Sequence, residues 1–273
     1  MIETASLFPL LDQELIELLK SLSPDDWNKK TVAKLWTVKD VATHLLDGNL
    51  RTISTMRDQH QVAPDREIHS YSDLVAYLNE FNADWVKATR RLSPAVLIDL
   101  LETTGKQYSE IMRTQDLDAD AIFSVAWAGE QVSKNWFHIA REYTEKWHHQ
   151  QQIREAVNKP GIMTKTLFYP LIETFLHGLP HTYRTTDAPN GTAVNICILL
   201  GEEMHWYLIK SEEGWQLKKE FTGEASSKIH LPADTAWKLF TKAMSPAEAL
   251  ETISITGNQS LGQTALKLIA VMA

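Results

Sequence analysis

The chain has 273 residues, of which 44% are hydrophobic and 23% are charged, and its formal net charge at pH 7 is −8. This composition predicts an ordered globular protein with a substantial core, and the negative charge argues against nucleic acid or an anionic membrane as a partner, because both attract clustered Lys and Arg. A single cysteine excludes an intramolecular disulfide, the longest apolar run is too short to span a bilayer, and no basic segment followed by an apolar run opens the chain, so we expect a cytoplasmic protein.

Helical periodicity dominates the N-terminal part of the chain. Apolar side chains recur at spacings of three and four over residues 7–22, which predicts an amphipathic helix. A second helix is predicted over residues 38–57, because Thr37 can cap its N-terminus while Asp40 reaches back as the acidic half of a capping box. Similar periodicity predicts helices over residues 72–91, 93–111 and 132–157. The connections are mostly short, so we expect an antiparallel four-helix bundle in which residues 72–111 form one broken arm.

The pattern changes after the segment Asn158-Lys159-Pro160-Gly161, which predicts a domain boundary. Beyond it, a helix is predicted over residues 165–179. Short runs rich in β-branched and aromatic residues then predict a β meander. Further elements are predicted as strands near residues 227–231 and 253–255 and as helices from residue 232 and over residues 260–272. We therefore expect residues 1–159 to form a mainly α N-terminal four-helix bundle and residues 160–273 a smaller α+β domain.

A possible metal site lies on the predicted helix over residues 132–157. Glu145 and His149 are four residues apart, so their side chains share one face of the helix and can share a metal ion. The alternative is an ordinary exposed pair, which would contribute only about 0.2–0.5 kcal/mol. A third ligand has to come from elsewhere. The best candidate is His44, with Gly48 one turn away leaving space beside it.

The histidine next to His149 needs a separate interpretation. On a helical wheel, His148 falls in a charged row with Arg141, and this row is predicted to face water. Glu145 and His149 fall on a different arc, which also contains Glu142. His149 is therefore the better ligand of the adjacent pair, and we expect His148 at the surface.

Motifs along the whole chain resemble a known family. The segments are a tryptophan followed by Thr-Val-Lys-Asp-Val at 37–41, a His-Leu pair at 44–45 and Glu-x-Trp-x-His-x-x-x-Ile at 145–153. They resemble the DinB-like metal-binding four-helix bundles and, more closely, the mycothiol-dependent maleylpyruvate isomerase family. The resemblance extends through Val-Ala-Trp-Ala-Gly at 125–129 and Ile-Thr-Gly-Asn at 255–258. It implies a DinB-like bundle followed by a C-terminal domain related in shape to sterol carrier proteins.

The resemblance also implies a metal and a chemistry. The family's bundle carries a zinc ion held by His, Glu and His, and the matching residues are His44, Glu145 and His149. The family often has Asp three residues after the second histidine, where this chain has Gln152. Three protein ligands leave open positions on the metal, as in catalytic sites. The implied cofactors are a divalent metal, with zinc ahead of nickel or iron, and a low-molecular-weight thiol activated for attack on a small electrophile.

The implied function is a metal-dependent thiol transferase or cis/trans isomerase whose partners are the thiol and a small-molecule electrophile. Two alternatives stay open. One is a non-catalytic module that binds a metal or a small apolar ligand. The other is metal-dependent hydrolysis with Glu142 as the general base. We expect a monomer or a homodimer, and we expect Cys197, in an apolar run, to be buried and inert.

Overall fold

The structure, a computed structural model, describes residues 1–272 and shows a helical N-terminal region followed by a five-stranded sheet. The helices are α1 (Phe8–Lys20), α2 (Val38–Thr52), α3 (Tyr71–Thr89), α4 (Pro94–Arg113), α5 (Asn135–Val157), α6 (Lys165–Leu176), α7 (Leu179–Thr182), α8 (Ala233–Phe240), α9 (Pro246–Ala249) and α10 (Gln259–Ala265). The strands are β1 (Ala193–Leu200), β2 (Glu202–Ser211), β3 (Gly214–Lys218), β4 (Ser227–Pro232) and β5 (Ser254–Gly257). The expected fold class, a mainly α N-terminal region followed by an α+β domain, is confirmed. None of the helices over residues 1–272 combines the length and apolar character that a membrane crossing requires.

The chain divides into two compact units. The helical unit consists mainly of Glu3–Asp118 and Glu145–Ile162, and the sheet unit consists mainly of Ala119–Thr144 and Met163–Val271. The division falls inside α5, so this helix contributes its first part to the sheet unit and its second part to the helical unit. The boundary predicted between residues 159 and 160 stays a prediction.

Helix α2 begins at the predicted cap. The Asp40 backbone N–H donates to Oγ1 of Thr37 over 3.3 Å, and the Thr37 backbone N–H donates to Oδ2 of Asp40 over 2.9 Å, which completes the capping box. After Thr52 the helix continues as a π-helical turn over Ile53–Arg57, so its predicted extent is confirmed. The cap fixes where the helix starts and therefore which side chains of α2 face the core.

The core of the helical unit is built from four helices. Its buried side chains come from α1, α2, α4 and the end of α5, and they include Leu15, Leu19, Val38, Val41, Leu45, Leu97, Leu101 and Ile153. Each fully buried aliphatic side chain of this kind contributes about 1.5–3 kcal/mol through removal of apolar surface from water. This burial holds α2 and the second part of α5 in one unit.

The segment predicted as one broken arm forms two helices with different roles. Helix α4 joins the core, whereas α3 packs against α2. The contact of α3 includes a hydrogen bond from Nε1 of Trp85 to the carbonyl oxygen of Thr43 over 2.7 Å. The residues that α3 buries include the polar Asn82 and Thr89 beside Val86, so its face is too polar to replace α4 in the core.

Helix α5 begins three residues later than predicted. The residues just before Asn135 are held in an extended pairing, in which Lys134 forms an antiparallel bridge with Asp120. The Ser133 carbonyl accepts a hydrogen bond from the Ala121 backbone N–H over 2.8 Å. These bonds keep the backbone extended until residue 135, and no local sequence signal reveals them.

The predicted break after α5 is present. Helix α5 ends at Val157, and Asn158 adopts a left-handed conformation with φ of 55°. The Lys159 backbone N–H then donates to the carbonyl of Arg154 over 2.9 Å. A left-handed residue of this kind is a common end to a helix because it turns the chain away while satisfying a carbonyl of the last turn.

The sheet of the sheet unit has the strand order β3-β2-β1-β4-β5. Strands β1, β2 and β3 form the predicted antiparallel meander, whereas β4 pairs with β1 in parallel. The buried apolar face of the sheet carries Ile196, Ile198, Trp206, Leu208, Ile229 and Leu231. The last helix ends at Ala265, earlier than the predicted residue 272.

Candidate metal centre

The three predicted ligands come together in the helical unit. His44 lies on α2, and Glu145 and His149 lie on the second part of α5. The rings of His44 and His149 meet edge to face, with 4.7 Å between their centroids. Nε2 of His149 lies 3.6 Å from Oε2 of Glu145. His44 is about a hundred residues from the pair on α5 in the chain, and the packing of the bundle brings them together.

His149 is held in one orientation by its neighbour on the next turn. Its Nδ1 lies 2.9 Å from Oε1 of Gln152. An amide oxygen can only accept a hydrogen bond, so Nδ1 carries the proton and the lone pair of Nε2 is directed towards Glu145. Gln152 therefore fills, as a neutral acceptor, the position where the resembled family often has an acid.

His44 carries a buried nitrogen with an unmet bonding capacity. Its Nδ1 is enclosed and, among residues 1–272, meets no hydrogen-bond partner. Burial, and after it the neighbouring His149, hold the pKa of His44 well below the ordinary value of a histidine, so the ring is neutral at pH 7. A buried polar atom left unpaired costs about 1–3 kcal/mol. A neutral imidazole with an unpaired nitrogen fits a role as a metal ligand.

The donor set fits a divalent cation. Two imidazoles and one carboxylate are ligands that Zn²⁺ accepts in proteins. Trp36 lies against the same rings, 4.8 Å from that of His44 and 6.2 Å from that of His149, measured between centroids. A Cβ added at Gly48 would meet nothing within 4 Å, so the space beside His44 on α2 is open as expected. The site thus has an aromatic wall on one side and room on another.

His148 is not at the surface, and the prediction that it faces water is wrong. The residue is only 4% exposed, and its ring centroid lies 4.0 Å from that of His149. The donor atoms of Glu145, His148 and His149 lie within 4.8 Å of one another, and His44 is outside this particular set. His44 and His148 are therefore two candidates for the third ligand, of which the sequence singled out only the first.

The error about His148 has a physical cause in the surroundings of α5. The second part of this helix is buried nearly all round although many of its residues are polar, among them Lys146, Gln150, Gln151, Gln152 and Arg154. A helical wheel assigns polar rows to solvent, and this rule fails when polar side chains are paired inside the protein. The available signal was the run of histidine and glutamine itself, which gives no clear solvated face.

Two ion pairs, each with a buried cation, fix α5 against α1. Nζ of Lys146 lies 2.7 Å from Oδ1 of Asp12 and 4.2 Å from the centre of the Tyr108 ring. A guanidinium nitrogen of Arg154 lies 2.8 Å from Oε2 of Glu14. Removal of either acid would leave a buried cation without its partner, which is unfavourable. The pairs therefore set the height and rotation of the helix that carries Glu145 and His149.

Glu142 lies in the part of α5 that belongs to the sheet unit. Its Oε1 lies 2.5 Å from a guanidinium nitrogen of Arg141. This carboxylate oxygen is therefore engaged in an ion pair. This contact gives no support to Glu142 as a general base.

A separate groove of about 720 Å³ lies between α1 and α4 in the helical unit. Its lining residues include Pro9, Ile16, Leu101 and Gly105. None of the residues predicted as metal ligands lines it. The groove is therefore a different feature from the candidate metal centre.

Comparison with known proteins finds a matching family and solved structures of similar fold. A family model described as the mycothiol maleylpyruvate isomerase N-terminal domain matches residues 8–154. A crystal structure of the mycothiol-dependent maleylpyruvate isomerase matches with a TM-score of 0.54 and 11% identity, covering 92% of this chain and 91% of that chain. A histidine-to-alanine mutant of that isomerase matches with a TM-score of 0.52 and 10% identity over the same shares of the two chains. A search of the curated proteins finds no match. At these identities the solved structures show a shared fold.

Proposed function

Because the chain belongs to the mycothiol maleylpyruvate isomerase N-terminal domain family, we propose that it is a metal-dependent thiol-using isomerase or transferase. In this proposal His44, Glu145 and His149 hold a divalent cation, zinc by first choice, and the reaction joins a low-molecular-weight thiol to a small electrophile. The names of the family and of its solved relatives make mycothiol and maleylpyruvate the first thiol and electrophile to test.

One observation carries the proposal: a neutral imidazole on α2 meets a Glu-His pair on α5, and its buried Nδ1 meets no hydrogen-bond partner within the described chain. His149 is only 8% exposed, and Gln152 holds its ring in one orientation. Neither feature is expected of an ordinary exposed pair on a helix. The arrangement instead resembles a ligand set whose members are oriented in advance.

In this proposal each residue of the site has its own role. Glu145 supplies a negative charge, and His44 and His149 supply neutral nitrogen donors, so the three together suit a doubly charged cation while leaving it partly uncovered. When bound, such a cation lowers the pKa of a coordinating thiol and supplies a thiolate at neutral pH. Trp36 excludes water from one side of the rings, and the open space at Gly48 leaves room for the thiol.

The organic steps follow from the chemistry of a thiolate. In an isomerase, the sulfur adds to one carbon of a cis double bond, which becomes a single bond and rotates. Loss of the same thiolate restores the double bond in the trans form, so the thiol is regenerated. In a transferase, the adduct takes up a proton and is released as the product.

The test combines metal analysis with thiol-dependent isomerisation of maleylpyruvate. We expect His44→Ala, Glu145→Gln and His149→Ala each to lower the zinc content by about one ion per chain and to reduce kcat/KM by at least about 1,000-fold, the scale expected when an activating metal is lost. His148→Ala is the matched control, and it should keep both metal and activity.

Two outcomes would contradict the proposal. If a folded His149→Ala variant keeps full activity, the reaction does not depend on a metal held by His149. Retention of zinc by His44→Ala together with its loss from His148→Ala would replace His44 by His148 as the third ligand.

A further inference from the structure

The sheet unit holds a second group of side chains of the types that can bind a metal, on the face of the sheet opposite to Trp206 and Ile229. Cys197 lies in the middle of β1 and pairs directly with His205 on β2 and with His230 on β4. Directly paired residues of neighbouring strands project from the same face and stand about 5 Å apart. The sheet therefore places a thiol between two imidazoles, with an acid, Glu203, two residues before His205 on the same face.

The donor atoms of this group are close together. Those of Cys197, Glu203 and His205 all lie within 4.8 Å of one another. Nε2 of His205 lies 3.2 Å from Oε2 of Glu203. On the other side of Cys197, Nδ1 of His230 is enclosed and finds no hydrogen-bond partner in the part of the chain that the structure describes.

We propose that Cys197, His205 and Glu203 form a second site for a divalent cation that favours sulfur, such as Zn²⁺, with His230 as a further donor. Thiolate, imidazole and carboxylate are the three side-chain types that bind zinc in proteins. On binding, the Sγ–H bond of Cys197 breaks and its proton goes to solvent, while the sulfur electron pair goes to the cation. The charges of one thiolate and one carboxylate then balance the two charges of the cation.

The simpler alternative is a surface ion pair of His205 and Glu203 beside an inert cysteine. Such an exposed pair needs no third donor. Here the strand register sets the pair beside Cys197. Cys197 is 0% exposed although it lies on this face of the sheet. The sheet order also matters, because β1 is the strand between β2 and β4. A cation at Cys197 would link the antiparallel and the parallel part of the sheet at one point.

Cobalt(II) gives this site a spectroscopic signal that the candidate metal centre, which has no sulfur ligand, does not give. The chain has one cysteine, so absorption caused by charge transfer from a thiolate to cobalt can come only from Cys197. The full-length protein, reduced and stripped of metal with a chelator, is titrated with Co²⁺. We expect the charge-transfer absorption in the wild-type protein, and in His149→Ala, whose change removes the competing site, we expect it to saturate at one cobalt per chain.

Variants of the sheet decide between the two interpretations. Cys197→Ser should lose the absorption. His205→Gln should weaken cobalt binding at this site by more than about 100-fold, which exceeds the usual loss of affinity when a residue that only contacts a metal ligand is changed. Glu213→Gln, an exposed acid in the turn between β2 and β3, is the matched control and should bind as the wild type does. Far-UV circular dichroism checks that each variant is folded.

The proposal is overturned if excess cobalt produces no charge-transfer absorption in the reduced wild-type protein. It is also overturned if folded His205→Gln binds cobalt with unchanged affinity. Neither result bears on the proposed function, since the isomerase site contains no sulfur ligand from the protein and is tested by zinc content and activity.

Discussion

At the scale of single residues, a local spacing and a long-range contact contribute differently to the candidate site. The spacing of Glu145 and His149 is a property of any helix, and the structure keeps it, with 3.6 Å between the carboxylate and Nε2. The position of His148 depends instead on what surrounds α5, and there the helical wheel failed. His44 matches a motif of the resembled family, and its approach to His149 requires the folded bundle.

His138 predicts how stability depends on pH. It is only 2% exposed, and its Nδ1 lies 2.9 Å from a guanidinium nitrogen of Arg141. Burial, and then the charge of Arg141, lower the pKa of His138 to about 4. The folded state therefore binds fewer protons than the unfolded state, whose histidine has a pKa near 6.5. Protonation of His138 therefore does not affect the free energy of unfolding above about pH 6.5. As the pH falls to 4, it lowers that free energy by up to about 3 kcal/mol.

Urea unfolding between pH 7 and pH 4, in the presence of a chelator, measures this effect. His138→Gln should show a smaller loss of unfolding free energy over that range than the wild type does. His69→Gln, at an exposed position, checks whether loss of a histidine alone changes the slope. Equal slopes for His138→Gln and the wild type would show that His138 is not neutral in the folded protein.

At the scale of secondary structure, α2 and α5 position the ligands by different means. Helix α2 is fixed at its start by a capping box that the sequence predicts. Helix α5 is fixed along its length by the pairs of Lys146 with Asp12 and of Arg154 with Glu14. The partners in these pairs are far apart in the chain, so the sequence predicts the helix but not its buried polar contacts.

Thr37→Ala tests the contribution of the α2 cap. Loss of the side-chain oxygen leaves a backbone N–H of the first turn unpaired, and the free energy of unfolding should fall by about 1 kcal/mol. Thr37→Ser keeps the oxygen and should remain within a few tenths of a kcal/mol of the wild type. Urea unfolding at pH 7 gives both values. A loss as large in Thr37→Ser as in Thr37→Ala would assign the effect to the methyl group rather than to the cap.

At the scale of the whole molecule, the division inside α5 bears on which fragments can fold. The sheet unit includes Ala119–Thr144 as well as the residues after Met163. Within this unit, the buried hydroxyl of Tyr143 donates to the carbonyl of Leu167 over 2.7 Å. A fragment cut at the boundary predicted from the sequence lacks Tyr143 and the rest of that segment.

Two fragments test where the folding boundary lies. We expect a fragment of residues 119–273 to unfold at a higher urea concentration than a fragment of residues 160–273, because the shorter one exposes apolar surface that Ala119–Thr144 covers. Circular dichroism at increasing urea compares them. Equal midpoints would support the boundary between residues 159 and 160 as the true limit of the second domain.

The sequence by itself determined the order of the main helices and strands, though not the short helices α7 and α9, together with the cap at Thr37, the break after Val157 and the shared face of Glu145 and His149. These features rest on periodicity, capping and backbone preference within a few residues of the chain. Only the tertiary structure decided that His148 is buried, that α3 and α4 have separate roles and that Cys197 stands between His205 and His230. These results depend on strand order and on pairs of residues far apart in the chain, because burial and register are set by which elements pack together.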